Sequence, residues 1–426
     1  MHYGLYFSIS LLLRAVKLSG DIFIMKDKIL VFCKNILARI VKNETQFFWS
    51  GMVIVALFNV ALFELSFKLS NAAEKNDFYI AMTKSPEVLE VQAPVSEPPQ
   101  EVRGIYMSAY VAGDKIRREK LFKLIDDTEL NAVVIDIKDS TGKVFFDAQS
   151  ELIRSYDTVD VRIADIDPLL EDLHKRGMWV IARQVVFQDP ELADARPDLA
   201  VHSKRTGKSW RDNGGRRWMD TASKDVWNYN MILAREAASR GFDEIQFDYI
   251  RFPSDGNISD MSFPVWDGKT PKYDVLRSFF EYIDKNLSPL GVKTSVDLFG
   301  MTFNRVDKPT DDLGIGQRVV DAVPYIDYIS PMVYPSHYPP TFEGYANPAA
   351  HPYAIVDIAL KDAASAFVDS RAKARPWLQD FDMGADYNAA MIQAQIKASR
   401  DNGASGWLLW NPSNIYTQAA LDKDVK

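Results

Sequence analysis

The sequence contains very little cysteine and histidine. Among its 426 residues there are one cysteine, Cys33, and five histidines. A single cysteine excludes an intramolecular disulfide and any metal site that needs several thiolates. Five scattered histidines provide few ligands for a histidine-rich metal centre. We therefore expect neither a metal ion nor another cofactor.

The sequence also lacks an excess of positive charge and two common catalytic motifs. Its net charge of −8 argues against nucleic acid as a partner, because phosphate binding requires a basic surface. It contains no Gly-x-Ser-x-Gly sequence, which removes the usual signature of a serine hydrolase. With 47% hydrophobic and 25% charged residues, the chain is expected to form a sizeable folded core.

An uncharged apolar segment interrupts the N-terminal part of the chain. Residues 47–63 carry no charged side chain, and segment 47–69 is long enough for a helix to cross a membrane. Residues 1–46 contain seven Lys and Arg against three acidic residues, whereas residues 64–103 contain four against seven. This asymmetry predicts that 1–46 is cytoplasmic, that 47–69 is a membrane anchor, and that the rest lies on the periplasmic or extracellular side.

Other interpretations of this segment stay open. Ser70-Asn71-Ala72 resembles a signal-peptidase site, and cleavage there would release a secreted form. A buried helix is a further alternative. Residues 70–102 contain several prolines among Glu, Ser and Gln without apolar periodicity, which predicts a linker between the anchor and a domain at 103–422.

Residues 103–422 are predicted to form an α/β fold, a (β/α)8 TIM barrel. Short apolar runs alternate with amphipathic segments, several of which end at a glycine, as helices commonly do. The runs that we interpret as strands are 103–110, 132–139, 179–187, 244–252, 293–300, 328–335, 374–382 and 406–411. The alternative is an open doubly wound sheet, although no Gly-x-Gly-x-x-Gly motif follows the first run.

Residue alternation directs two carboxylates to the barrel interior. In the fourth run Ile245 and Phe247 suit the helix-facing side, so Asp248 points inward near the end of the strand. In the fifth run Val296 faces outward and Asp297 inward by the same argument. Because active sites of such barrels lie at the C-terminal ends of the strands, Asp248 and Asp297 are the candidate catalytic pair.

Paired carboxylates on neighbouring strands fit glycoside hydrolysis. One carboxyl group protonates the leaving oxygen, and the other attacks the anomeric carbon or activates water. Neighbouring strands lie about 4.8 Å apart, which favours the short separation of retaining enzymes over the longer one of inverting enzymes. Arg251 lies three residues after Asp248 and favours its ionised form, so we assign Asp248 as nucleophile or charge stabiliser and Asp297 as acid/base. Asp139 and Asp380 are rival acids, and a purely structural Asp–Arg ion pair is the alternative.

Further polar and aromatic residues are predicted to bind substrate at the same rim. Asp136 and Lys138 are both assigned to the inward face of the second strand. Aromatic rings stack on sugars, and basic side chains bind carboxylates or phosphates, so an anionic glycan is among the expected substrates. The candidate substrate-binding residues are Asp136, Lys138, Asp139, Arg183, Trp210, Trp218, Arg251, Tyr334, His337, Gln379, Asp380, Trp410 and Asn411.

Three segments of this sequence resemble a bacterial family of glycoside hydrolases with a TIM-barrel fold. They are Phe247–Pro253, which reads FDYIRFP, together with 134–139 and 330–335. The resemblance covers about residues 101–420. More distantly, the layout is similar to the α-amylase-like superfamily, whose nucleophilic Asp ends the fourth strand, and this implies that role for Asp248. The α-amylases carry Glu at the end of the fifth strand, where this chain has the shorter Asp297.

These observations together predict a membrane-tethered glycoside hydrolase that acts on an envelope or extracellular polysaccharide. Two alternatives stay open. One is a non-catalytic glycan-binding or scaffold module that has kept the barrel. The other is a different barrel hydrolase or lyase, such as a metal-dependent deacetylase, against which the shortage of histidines at strand ends counts.

Overall fold

The computed structural model describes residues 97–423, in which eight parallel strands form a closed barrel. Each of the eight apolar runs identified in the sequence overlaps one of these strands. They are β1 (Val102–Met107), β2 (Ala132–Lys138), β3 (Trp179–Val185), β4 (Glu244–Asp248), β5 (Lys293–Phe299), β6 (Tyr328–Met332), β7 (Trp377–Gln379) and β8 (Gly406–Trp410).

Two sets of pairings close the sheet. β1 pairs in parallel with β2 on one side and with β8 on the other, where Val102 lies opposite Gly406. β7 pairs with β8 and, through Trp377 opposite Met332, with β6. The closed order excludes the open doubly wound sheet and confirms the predicted barrel.

Six helices of ten or more residues surround the barrel in the described part of the chain. They are α1 (Lys115–Asp127), α2 (Ile166–Lys175), α3 (Lys224–Ser239), α4 (Lys272–Leu287), α5 (Pro352–Ala363) and α6 (Ala389–Asp401). Between β5 and β6 a short helix, Val319–Ala322, takes the place of a longer one. Shorter helices lie at Ala109–Ala112, Glu151–Ser155 and Pro190–Ala195, and short strands at His202–Ser203, Met261–Ser262 and Lys373–Ala374.

Local sequence signals explain where the helices begin and end. Asp114 caps the start of α1, where its carboxylate accepts hydrogen bonds from the backbone N–H groups of Ile116 and Arg117. Gly177 and Gly403 follow the ends of α2 and α6 with φ of 76° and 67°, a backbone conformation that glycine adopts without steric cost. The predicted glycine stops are therefore confirmed at these positions.

Two apolar layers enclose the strands. The outer layer lies between strands and helices and includes Ile245, Phe247 and Val296, as the alternation predicts. A smaller inner layer fills the barrel, with Val134, Ile181 and Leu408 among its members. Polar side chains that point inward near either end of the strands therefore lie inside the barrel, and the strands separate them from the helices.

The segment after β8 is tied to the first strand. The side chain of Asn414 accepts a hydrogen bond from the backbone N–H of Ser108 at 2.9 Å. The hydroxyl of Tyr416 donates to the backbone carbonyl of Tyr106. These bonds fix the junction at which the last strand meets the first.

The predicted N-terminal elements fall largely outside the described residues. Segments 1–46 and 47–69 lie there entirely, as does nearly all of the predicted linker 70–102. Within residues 97–423, no helix combines the length and the apolar character that crossing a membrane requires.

Candidate functional site

An arginine at the C-terminal mouth of the barrel contacts three carboxylates. Arg183 of β3 donates from Nη1 to Oδ1 of Asp136 at 2.6 Å and from Nε to Oδ2 of Asp248 at 3.1 Å. Its Nε also lies 3.7 Å from Oδ2 of Asp297. All four residues are at most 7% exposed. One guanidinium therefore joins acids from β2, β4 and β5.

Asp248 is held at the end of β4 by a local turn. Its Oδ1 accepts a hydrogen bond from the backbone N–H of Tyr249 at 2.5 Å, while Oδ2 accepts from Arg183. Tyr249 has a φ of 52°, in the left-handed region that a residue with a side chain seldom adopts. The strained turn ends the strand and positions the carboxylate at the mouth.

Asp297 lies in a less polar environment than Asp248. Its Oδ1 accepts one hydrogen bond from the indole N–H of Trp377 at 2.7 Å. Burial first, and then the charge of Asp248, raises the pKa of Asp297 well above its usual range. Arg183 opposes this shift without cancelling it. These causes favour the protonated form of Asp297.

Asp136 completes the cluster beneath the mouth. Its Oδ2 accepts a hydrogen bond from the hydroxyl of Tyr106 at 2.5 Å, and its Oδ1 accepts from Arg183. Burial raises the pKa of Asp136, against the opposing effect of the Arg183 charge. For Arg183, burial disfavours the charge, but Asp136 and Asp248 outweigh it and raise the pKa well above its usual value. The guanidinium is thus a fixed positive charge.

The cluster forms the floor of a cavity of about 450 Å³. Asp248, Asp297 and Arg183 line it at the bottom. The indole of Trp410 stacks on the ring of Tyr106, with centroids 4.1 Å apart. The remaining lining residues are Tyr249, Arg251, Phe299, Gly300, Met301, Gln317, Met332, Tyr334, His337, Tyr338, Trp377 and Trp410. The carboxylates thus open into a space with largely aromatic walls, which suits a sugar ring.

Seven of the predicted site residues line this cavity. They are Asp248, Asp297, Arg183, Arg251, Tyr334, His337 and Trp410. Asp136 lies just below and reaches the cavity through Arg183. Burial lowers the pKa of His337, which favours its neutral form. The catalytic and binding roles of these residues remain predictions.

The inward assignment of Lys138 is wrong. The pairing of β2 with β3 is irregular between Asp136 and Lys138, which disrupts the alternation of the strand at its end. Lys138 is fully buried outside the barrel, with its Nζ 2.7 Å from Oδ2 of Asp189 and 2.7 Å from the carbonyl of Val185. It therefore anchors the loop after β3 and cannot contact a ligand in the cavity.

The two tryptophans expected as sugar-stacking surfaces are buried in loop packing. Trp210 and Trp218 are 3% and 0% exposed. Their indole N–H groups donate to the carbonyl of Asn257 and to Oδ2 of Asp212, each at 3.0 Å. Both indole rings bury their large apolar surface between long loops and hold these loops together.

The other predicted rim residues stabilise loops outside the cavity. Oδ1 of Asp139 accepts from the backbone N–H of Thr141 at 2.8 Å, in an exposed turn. Asp380 accepts from the hydroxyl of Thr417 at 2.8 Å, and Asn411 donates to the carbonyl of Asp380 at 2.5 Å. Gln379 is fully buried and accepts from the backbone N–H of Ser336 at 3.2 Å. Polar residues at strand ends are used here to fix turns.

Two residues that contact the carboxylates were not among the predicted ones. Tyr106 of β1 and Trp377 of β7 each donate a hydrogen bond to an acid of the cluster. Tyr106 alternates with Ile105 and Met107, both in the outer layer, so its inward direction could have been deduced. Trp377 could not, because β7 has only three residues and its alternation is too short to interpret.

Among residues 97–423, no group of three or more histidine, cysteine, aspartate or glutamate side chains is arranged to hold a metal ion.

Several solved structures are similar to this chain. The glycoside hydrolase domain of PgaB (BpsB) from Bordetella bronchiseptica is 14% identical, with a TM-score of 0.55, and the match covers 74% of this chain and 94% of that one. A hypothetical protein from Ruminiclostridium thermocellum is 37% identical over 45% of this chain and 96% of its own, with a TM-score of 0.42. An α-galactosidase from Thermus thermophilus is 13% identical, with a TM-score of 0.44, over 77% and 65% of the two chains. The first of these likenesses supports the barrel fold.

The family comparison covers nearly the whole barrel. No curated protein matches the chain. Residues 104–416 match the family model described as "Putative glycosyl hydrolase domain". This range begins in β1 and ends at Tyr416, just beyond β8, and includes the Arg183 cluster with all three of its carboxylates. The chain therefore belongs to this family of glycosyl hydrolases.

Proposed function

We propose that this protein hydrolyses glycosidic bonds in the cavity above Arg183, with Asp248 and Asp297 as the catalytic carboxylates. The observation that carries the proposal is the different setting of two acids that share one guanidinium. Asp248 accepts hydrogen bonds on both of its oxygens, from Arg183 and from the backbone N–H of Tyr249, and is held in a fixed orientation. Asp297 has its pKa raised by burial and by Asp248, which favours the protonated acid.

These settings define the roles of the two acids. Asp297 donates its proton to the leaving glycosidic oxygen as the bond breaks. Asp248 attacks the anomeric carbon or stabilises the developing positive charge on the sugar. Arg183 holds Asp248 in place and offsets part of the repulsion between the two carboxyl groups. Water then completes hydrolysis, with Asp297 as the base.

The geometry favours retention of anomeric configuration. Both Oδ2 atoms lie within 3.7 Å of Nε of Arg183, so the two carboxyl groups are close neighbours. Retaining enzymes hold the two groups about 5–5.5 Å apart, and inverting enzymes hold them farther apart to admit a water. A shared guanidinium is easier to reconcile with the shorter spacing.

The substrate that we propose is an envelope or extracellular polysaccharide. This part of the proposal rests on the sequence, in which a positively charged segment precedes the uncharged residues 47–63 and an acidic one follows them. Such a distribution favours a barrel that lies outside the cytoplasm and is tethered to the membrane. Partition of the full chain into the membrane fraction, and protease access to the barrel from the periplasmic or outer side, would test this placement.

The test of the enzyme proposal is release of new reducing ends from a panel of neutral and acidic bacterial polysaccharides. We expect the wild-type chain to cleave at least one of them, and Asp248→Asn and Asp297→Asn to lose that activity while remaining folded. NMR of the first-formed anomer then distinguishes retention from inversion. Activity that EDTA abolishes and both variants keep would contradict the carboxylate mechanism. Binding without cleavage would favour the glycan-binding module.

A further inference from the structure

A second arginine in the cavity has no carboxylate partner. Arg251 is 8% exposed and lines the cavity beside Asp248 and Asp297. Only its Nη1 donates hydrogen bonds, to the hydroxyl of Ser254 at 2.9 Å and to the carbonyl of Phe252 at 3.3 Å. Its Nε and Nη2 have no partner among residues 97–423. This contrasts with Arg183, which contacts three acids.

The nearby acids are occupied elsewhere or too far away. Asp248 is bound by Arg183 and Tyr249. Asp212 accepts hydrogen bonds from Gln188 at 2.8 Å and from Trp218 at 3.0 Å. Asp255, four residues further along the chain, is exposed and also influences Arg251. None of these three acids forms an ion pair with Arg251, so its positive charge is buried at the cavity wall without an ion-pair partner among residues 97–423.

Aromatic rings hold this guanidinium in a fixed orientation. Its central carbon lies 4.6 Å from the ring centroid of Trp218, 5.3 Å from that of Tyr249 and 5.0 Å from that of Phe299. Cation–π contacts fix the plane of the group but leave its N–H edge unsatisfied. The Nε and Nη2 edge of a guanidinium matches two oxygens of a carboxylate or phosphate.

We propose that Arg251 binds an oxyanion on the sugar next to the cleaved bond, so that the substrate is an acidic glycan. The inference rests on the proposed function, because it takes the cavity as a sugar-binding site, and it narrows that function to a substrate class. The glycan carries its negative charge as a carboxylate or a phosphate on the ring. The anion supplies the counterion that Arg251 lacks and orients the ring over Asp248.

The test compares matched acidic and neutral sugars as ligands of the full-length chain in detergent. The pairs are glucuronate with glucose, galacturonate with galactose, and glucose 6-phosphate with glucose. Binding is followed by tryptophan fluorescence, since Trp377 and Trp410 line the cavity. We expect an acidic sugar to bind about 10- to 100-fold more tightly than its neutral partner, as for a charge-assisted hydrogen-bonded pair. The uronates and the phosphate distinguish the two forms of the anion.

Three variants connect this preference to the proposed residue. Arg251→Met removes the charge and is expected to abolish the preference, and Arg251→Lys, which keeps the charge without the fork, is expected to retain part of it. Arg211→Met is the control, because Arg211 is exposed and donates to the carbonyl of Gly215 outside the cavity lining. Its preference should equal that of the wild type.

The outcomes separate this inference from the proposed function. Equal binding of acidic and neutral sugars by the wild type, no binding of any probe, or a preference that persists in Arg251→Met would each overturn it. Cleavage of a neutral polysaccharide as efficiently as an acidic one would also overturn it while leaving the hydrolase proposal intact. An acid preference without cleavage of any polysaccharide would support the anion site and contradict the hydrolase.

Discussion

The two ends of the barrel interior each bury an arginine against carboxylates, and they do so in different proportions. At the N-terminal end, Arg375 donates to Glu244 from both Nη atoms, and both side chains are fully buried. The indole of Trp179 also donates to Glu244, at 3.0 Å. At the C-terminal end, Arg183 faces three acids. One end has a balanced pair and the other an excess of negative charge.

This difference separates a structural ion pair from a reactive site. In a balanced pair each buried charge is stabilised by the other. Where three acids surround one cation, burial first and then the charge of Asp248 raise the pKa of Asp297. The balanced end is also sealed by the inner apolar layer, whereas the other opens into the cavity. The open end therefore combines an excess of acids with room for a ligand.

The largest effect is expected from Asp248→Asn. The amide keeps the shape of the side chain but cannot act as a nucleophile or stabilise positive charge, so kcat should fall by roughly 10⁴-fold. Steady-state kinetics on a cleaved polysaccharide would measure this. Glu244→Gln at the other end serves as the control and should keep kcat close to wild type in the folded protein. Equal losses in the two variants would erase the contrast between the ends.

The next effect concerns stability and belongs to the balanced end. Arg375→Met leaves the buried charge of Glu244 without its partner, and the free energy of unfolding should fall by about 3–5 kcal/mol. Adding Glu244→Gln to this variant removes the orphaned charge and should recover much of the loss. Urea denaturation of the single and double variants measures both values. A double variant no more stable than Arg375→Met would show that the lost packing of the arginine dominates.

A third prediction uses the pH dependence of stability. The raised pKa of Asp297 means that the folded state binds this proton more tightly than the unfolded state. The resulting stabilisation is complete below the unfolded pKa of about 4 and is lost as pH rises through the raised folded pKa. The difference in unfolding free energy, wild type minus Asp297→Asn, should therefore decrease as pH rises. Urea denaturation at several pH values measures it.

Asp165 provides a control, because its pKa is shifted in the opposite direction to that of Asp297. Its hydrogen bond from Arg118 lowers the pKa of the carboxyl group. The stabilisation it contributes is present above the unfolded pKa and is lost as pH falls through the lowered folded pKa. The difference in unfolding free energy, wild type minus Asp165→Asn, should therefore increase as pH rises. Parallel trends for the two variants would contradict the assignment of Asp297 as the acid with the raised pKa.

The smallest effect is expected at Asp139, a polar residue just after β2 that lies outside the interior. Its carboxylate accepts hydrogen bonds from Thr141 in an exposed turn, and the oxygen of an amide can replace it. Asp139→Asn should therefore change kcat/KM by no more than about twofold. A loss of kcat/KM comparable to that of Asp248→Asn would show that the active site extends beyond the residues that line the cavity.

The barrel and its central acids could be predicted from the sequence because regular alternation determines them. Asp248 and Asp297 lie in strands whose outward neighbours, Phe247 and Val296, are unambiguously apolar. Once the strands are identified, the direction of each carboxylate follows from a period of two. The inward direction of Arg183 follows in the same way from the alternation of β3.

Alternation stops being informative where the strand becomes irregular or too short. The side chain of Lys138 points to the opposite face because the register of β2 with β3 shifts between Asp136 and Lys138. No residue type in 136–138 indicates this shift. The role of Trp377 was missed because β7 is only three residues long. The loop tryptophans differ again, since their burial depends on long-range packing that local sequence does not encode.

The bonds from Asn414 and Tyr416 to the first strand have a consequence for how the chain folds. They join residues 306 to 310 positions apart, so the barrel cannot be completed until almost the whole domain has been synthesised. Contacts of such long range slow folding, because the entropy of closing the loop is lost before the contact forms. Until then the edges of β1 and the growing sheet stay unpaired. A ribosome-bound chain that stops before β8 should therefore expose strand edges that are prone to aggregation.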